Sequence, residues 1–128
     1  MKGAFIVSTD EGLYTQVEQT LVDRGGHAAP DHVVQITDDN GVLFTVFGEL
    51  GEEFAADLAA GADEFRGDID AIPAFSTSTS CWAECASEQA FVSWVSMIAR
   101  ARREPMWVLD GDGVLWTSSA LDPARLRL

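Results

Sequence analysis

The run Val33-Val34-Gln35-Ile36-Thr37-Asp38-Asp39-Asn40-Gly41-Val42-Leu43-Phe44-Thr45-Val46-Phe47 decides the fold class. Residues 32–37 and 42–47 are rich in β-branched and aromatic side chains, and they flank four turn formers. Asn-Gly between two such runs is a strong hairpin signal, because it supplies two central residues that accept positive φ. Thr45 alternates with Phe44 and Val46, which predicts one buried face. Residues 106–109 and 114–117 flank Asp110-Gly111-Asp112-Gly113 and predict a second hairpin. A two-residue turn at Gly111-Asp112 would pair Asp110 with Gly113 and set Trp107 opposite Trp116 on one face. The two turns share turn chemistry and not a sequence, and no internal repeat is evident.

Outward from the first hairpin, Gly3-Ala4-Phe5-Ile6-Val7 reads as a strand buried on both faces. Ser8-Thr9-Asp10-Glu11 has capping-box spacing. Leu13, Val17 and Leu21 then follow at helical intervals until Gly25-Gly26 stops the helix. Phe54, Leu58 and Phe65 predict a helix over 52–65, weakened by Gly61. Residues 75–84 read as a strand near a sheet edge, with a loop as the alternative. Ser87 caps another helix whose inward residues are Phe91, Val95 and Ile98. Arg100, Arg102 and Arg103 suit the dipole of its last turn, and Pro105 ends it. The order β-α-ββ-α-β-α-ββ predicts an α+β fold: an antiparallel or mixed sheet with two hairpins and about three helices, in one domain over residues 1–128.

The chain has 128 residues with 21 acidic and 8 basic ones, a formal net charge of −13, while 47% of it is hydrophobic. That apolar content opposes intrinsic disorder despite the charge. No apolar run approaches the ~20 residues of a bilayer span. No signal peptide or lipidation signature stands out, so the expected compartment is the cytoplasm. Phosphate backbones would repel so acidic a surface, which argues against nucleic acid as a partner. The charge is concentrated: residues 49–70 carry eight carboxylates against Arg66 alone, a net −7 in 22 residues. Such a field speeds encounter with a cationic partner; the plainer alternative is a solvated face kept for solubility.

Catalytic constellations are sparse. His27 and His32 are the only histidine bases on offer, and no serine sits in a Gly-x-Ser-x-Gly elbow. Cys81 and Cys85 are spaced unlike a Cys-x-x-Cys redox motif and read as two buried structural thiols. The aspartates at 38–41 and 110–113 faintly suggest calcium loops, yet Leu115 stands where an EF-hand beginning at Asp110 requires glycine. Turn formation explains them better. No phosphate loop, zinc site or cofactor signature is present, so no metal and no cofactor are expected. Trp82, Trp94, Trp107 and Trp116 read as core, or alternatively as an aromatic interface patch.

Cys81-Trp82-Ala83-Glu84-Cys85-Ala86-Ser87-Glu88, the helix after it, and Trp107-Val108-Leu109-Asp110-Gly111-Asp112-Gly113-Val114-Leu115-Trp116 carry a resemblance. Together they resemble the C-terminal half of small acidic proteins from high-GC bacteria, many of which are similar to immunity proteins of polymorphic-toxin systems. The likeness is one of pattern, covers about residues 75–128, and transfers no individual functional residue. It implies a non-enzymatic inhibitor that binds a cognate toxin in the cytoplasm and blocks its active site. A basic toxin such as a nuclease would suit the acidic segment, in which Asp57 and Glu64, then Glu53 and Asp68, are the expected partner-binding residues. Two other classes stay open. One is a small-molecule-binding domain or small enzyme with a sheet cavity lined by Trp82 or Trp94. The other is an oligomerisation domain pairing through a strand near 75–84.

Overall fold

Strand β1 (Gly3–Ser8) is buried along its whole length, because it lies between β6 (Thr79–Cys85) and β7 (Trp107–Leu109) and is covered on both faces. The computed structural model describes residues 2–48, 64–67 and 78–128. Around this centre the remaining described strands are β2 (His27–Ala29), β3 (Val33–Thr37), β4 (Leu43–Phe47), β5 (Glu64–Arg66) and β8 (Val114–Thr117). They form one mixed sheet in the order β2-β3-β4-β6-β1-β7-β8-β5, in which β5 and β8 run parallel and every other pair antiparallel. With α1 (Leu13–Asp23) and α2 (Glu88–Arg100) this is an α+β fold.

Both helices pack on one face. Leu13, Val17 and Leu21 of α1 and Phe91, Val95 and Ile98 of α2 share a core with Ala4, Ile6, Phe44, Val46, Cys81 and Ala83. Each fully buried large side chain of this kind contributes roughly 1.5–3 kcal/mol. The opposite face holds a second cluster of Phe5, Val7, Trp107, Leu109 and Leu115, with Phe65 and Trp82 against it. Period-two alternation along β1 therefore feeds two apolar layers, and the strand reads as an unbroken apolar run for that reason.

Ser87 caps α2 as expected, its Oγ accepting from Ala90 N at 3.2 Å. The α1 start differs from the expected capping box. Ser8 ends β1 fully buried, and its Oγ accepts from Asp10 N and from the Arg102 guanidinium, while Asp10 Oδ1 accepts from Gly12 N. Gly25 N and Gly26 N close the other end of α1 on the Val22 and Leu21 carbonyls.

Several expectations are corrected. Glu64 and Phe65 lie in β5, paired in register with Val114 and Leu115, rather than at the end of a helix; residues 52–63 of that expected helix lie outside the described residues. Two α-helices, not three, occur among the described residues. Strand β6 is central rather than marginal, with β1 along residues 79–84 on one side and β4 along residues 82–85 on the other. Strand β2 leads into a reversal at Asp31 and His32, both at positive φ, that returns the chain antiparallel as β3 and that the sequence gives little reason to expect. Trp107 faces Thr117, and Trp116 faces Val108. The two tryptophans thus point to opposite faces, because a one-residue change of register exchanges the faces of a strand.

Candidate functional site

The reason for that register lies in the turns. Residues 38–45 read Asp-Asp-Asn-Gly-Val-Leu-Phe-Thr and residues 110–117 read Asp-Gly-Asp-Gly-Val-Leu-Trp-Thr, so the hairpins do share a sequence, contrary to the expectation above. Both form three-residue loops. Asp38 N donates to Val42 O at 3.0 Å and Gly41 N to Asp38 O at 3.0 Å; the corresponding bonds at Asp110, Val114 and Gly113 measure 3.0 and 3.2 Å. Gly41 and Gly113 sit at φ 80° and 79°, the left-handed position that closes such a loop. Asn40 is not at positive φ, so the two-residue turn expected from Asn-Gly is replaced by this longer one. The aspartate selects it. Asp38 Oδ1 accepts from Asn40 N and Val42 N, both at 2.9 Å, and Asp110 Oδ1 accepts from Asp112 N and Val114 N at 2.9 and 3.0 Å.

The second carboxylate oxygens differ. Asp110 is buried, and its Oδ2 accepts from Trp116 Nε1 at 3.0 Å and from Arg127 N at 3.4 Å. Gly111 N donates to Arg127 O at 2.6 Å, so this turn grips both main-chain groups of Arg127 while Leu126 beside it is buried. In the first hairpin the position of Trp116 is taken by Phe44, which carries no N–H. Asp38 Oδ2 accepts no hydrogen bond from any described residue.

Asp38 instead lines an open cleft of about 360 Å³ between its turn and α2. Asp39 and Asn40 form one rim; Val42, Ala90, Trp94 and Met97 supply apolar wall. Trp94 is half-buried and stacks on Phe44, with ring centroids 6.4 Å apart and planes at 23°, which anchors the indole against the core. An aromatic wall beside carboxylates can hold a guanidinium or ammonium group, and the unoccupied carboxylate oxygen can accept from N–H donors.

A second cleft, about 440 Å³, is bounded by Asp10, Gln16 and Arg102. Arg102 lies beyond the end of α2 rather than in its last turn. Its side chain is 1% exposed, and it donates to Gln16 Oε1 at 2.7 Å and Ser8 Oγ at 2.8 Å, with Asp10 Oδ2 at 4.0 Å. Hydrogen bonds from Gly12 N and from the Gln16 side chain, with Arg102 nearby, hold the Asp10 carboxyl below its ordinary range. Burial lowers the Arg102 pKa, against the opposing charge of Asp10. The guanidinium ties β1 to α1 and to the chain after α2, which is a structural task.

Of the residues expected to bind a partner, Glu64 is exposed on β5 and forms an ion pair with Arg66. Glu53, Asp57 and Asp68 lie outside the described residues. Trp82 packs edge-on to Phe5 at 5.0 Å rather than lining either cleft. Cys81 and Cys85 are buried free thiols; burial pushes Cys81 up to about 12 and also raises Cys85, so both remain protonated at neutral pH. Among the described residues no group of three or more His, Cys, Asp or Glu side chains is placed to hold a metal ion, and no helix is long and apolar enough to cross a membrane. No family model, curated protein or solved structure matches the chain.

Proposed function

We propose that this protein is a non-catalytic binding protein that docks a basic protein partner through its acidic surface, in the manner of an immunity protein neutralising a cognate toxin. The observation that carries this reading is the charge imbalance and how the few cations are placed. Against 21 carboxylates stand 8 basic side chains, and among the described residues Lys2, Arg66, Arg102 and Arg127 each lie within 4.0 Å of a carboxylate of the same chain. The field presented outward is therefore strongly negative. A negative field raises the association rate with a cationic partner and is weakened by salt. A toxin whose substrate is polyanionic, such as a nuclease, presents the complementary surface, and the reading places both proteins in the cytoplasm. Glu53, Asp57, Glu64 and Asp68 remain the proposed contacts within the most acidic segment.

The test is capture of partners from lysate of the source cells by the tagged protein, with parallel washes at low and high salt. The expected result is one dominant basic protein, kept at low salt and released at high salt, whose toxicity on expression is relieved by co-expressing this chain. Charge reversal by Asp57→Lys with Glu64→Lys should slow association and weaken its salt dependence. Capture of no specific protein from cells shown to express basic candidates, or capture indifferent to salt and to charge reversal, would overturn the reading.

A further inference from the structure

The two sister turns differ in one respect that bears on recognition: one is filled by the chain itself and the other is open. At the second turn an acceptor, Asp110 Oδ2, and a donor, Gly111 N, hold the N–H and C=O of Arg127, and Leu126 is 1% exposed beside them. The first turn offers the same pair. Asp38 Oδ2 accepts from no described residue, and Asp39 N, the counterpart of Gly111 N, donates to no described acceptor. Because Phe44 replaces Trp116, nothing in the hairpin itself competes for the Asp38 oxygen.

We propose that the cleft beside Asp38 binds an extended basic segment of a protein partner, in the way the second turn binds residues 126–127. This deepens the reading above and rests on it, since it supplies the contact by which a basic partner would be held. The partner's main-chain N–H takes Asp38 Oδ2 and its C=O takes Asp39 N–H. A neighbouring apolar side chain lies against Val42, Ala90 and Met97, as Leu126 is buried in the chain's own arrangement. An arginine or lysine then meets the Asp39 carboxylate and the face of Trp94. Asp39 also explains why the occupant is basic. A Cβ at Gly111 would stand 3.1 Å from Arg127 O. The Cβ of Asp39 therefore sets its occupant a few tenths of an ångström further out, where the added carboxylate repays the looser fit with charge.

The probe is the peptide acetyl-Pro-Ala-Arg-Leu-Arg-Leu-amide, which copies residues 123–128, titrated into the isotope-labelled full chain and followed by NMR. The expected result is saturable movement of the Asp39, Asn40 and Val42 amides and of the Trp94 indole N–H. Two variants separate binding from folding. Asp38→Asn keeps the oxygen that closes the turn but replaces the accepting Oδ2 by a donor, so affinity should fall by about tenfold or more. Asp39→Pro removes the N–H at a turn position that proline tolerates, so its spectrum should stay folded while binding falls similarly. A peptide with both arginines replaced by glutamate should not bind. Movement confined to residues 110–114, which would mean exchange with the chain's own segment, overturns the proposal. So does the absence of movement at millimolar peptide, or undiminished binding by Asp39→Pro. Any of these outcomes beside a salt-sensitive capture of a basic protein would remove this contact and leave the binding function standing. Peptide binding at the cleft without any basic partner in cells would do the reverse.

Discussion

Five of eight residues are the same between 38–45 and 110–117, and the four hydrogen bonds that close each turn agree to within 0.2 Å. Yet one aspartate is buried at 6% exposure under the segment that ends at Leu128, and the other is half-exposed at the mouth of a cleft. Backbone geometry cannot be the cause, since it is shared. The cause is the aromatic residue six positions after the aspartate, indole at Trp116 and phenyl at Phe44, together with the glycine at 111 that lets a second chain segment approach. The hairpins also enter the sheet differently: β4, the second strand of its hairpin, meets the sheet centre at β6, whereas β7, the first strand of its own, meets β1. A turn sequence thus fixes its own loop, while its surroundings decide whether its spare hydrogen-bonding groups serve stability or recognition.

The largest contrast should appear when each aspartate is truncated. Asp110→Ala removes four accepted hydrogen bonds and leaves the buried Trp116 Nε1 without a partner. It should cost about 3–4 kcal/mol, against about 1 kcal/mol for Asp38→Ala, where two bonds on a more accessible turn are lost. Urea unfolding of both variants measures the difference. Equal losses would show that the second oxygen of Asp110 contributes nothing, and the contrast between the turns would collapse. Trp116→Phe is the narrower version, converting the second turn to the chemistry of the first. It should cost about 1–2 kcal/mol, through the donor bond lost by Asp110 and the smaller ring.

The existence of both hairpins was legible because β-rich runs on either side of a glycine-containing aspartate turn leave few alternatives. Their loop length was not. Asn-Gly and Gly-Asp each fit a two-residue turn, and only the aspartate's two bonds, to the amides two and four residues on, select three residues. That single residue moved Trp116 from the face of Trp107 to the helix-covered core. Arg102 was obscured in another way: beside Arg100 and Arg103 it resembles compensation of a helix dipole, and its burial depends on Ser8 and Gln16, more than eighty positions away. The cleft was half visible. Trp94 was named as a residue that could line a cavity, but Asp38 read only as a turn former, because nothing local reveals an oxygen to which no described residue donates. The signal that would have found it is the alignment of the two eight-residue segments, where Phe44 against Trp116 marks the difference.

A smaller contrast follows from proline. Gly111→Pro deletes the donor to Arg127 O and obstructs the approach of that segment, and should cost about 1–2 kcal/mol with faster amide exchange at residues 126–128. Asp39→Pro at the equivalent position should lie within about 0.5 kcal/mol of the parent protein, since its N–H is bonded to no described acceptor and proline suits the site. If the two substitutions had the same effect, the gripping of Arg127 would be incidental to the fold.

The smallest contrast should be none at all. Gly41 and Gly113 hold the same left-handed conformation, and that conformation is an attribute of the loop rather than of its neighbours. A side chain at positive φ meets its own backbone wherever the turn lies, so Gly41→Ala and Gly113→Ala should each cost about 1–2 kcal/mol. Nothing lies within 4 Å of a Cβ added at Gly41, so its loss is the backbone term alone. Thermal or urea unfolding should therefore place the two variants within about 0.5 kcal/mol of each other, the spread expected of equivalent sites. A markedly larger loss at Gly113 would mean that the buried turn resists relaxation that the open one permits. The comparison would then extend from the aspartate's second oxygen to the backbone itself, and the first turn would be free to adjust around an occupant.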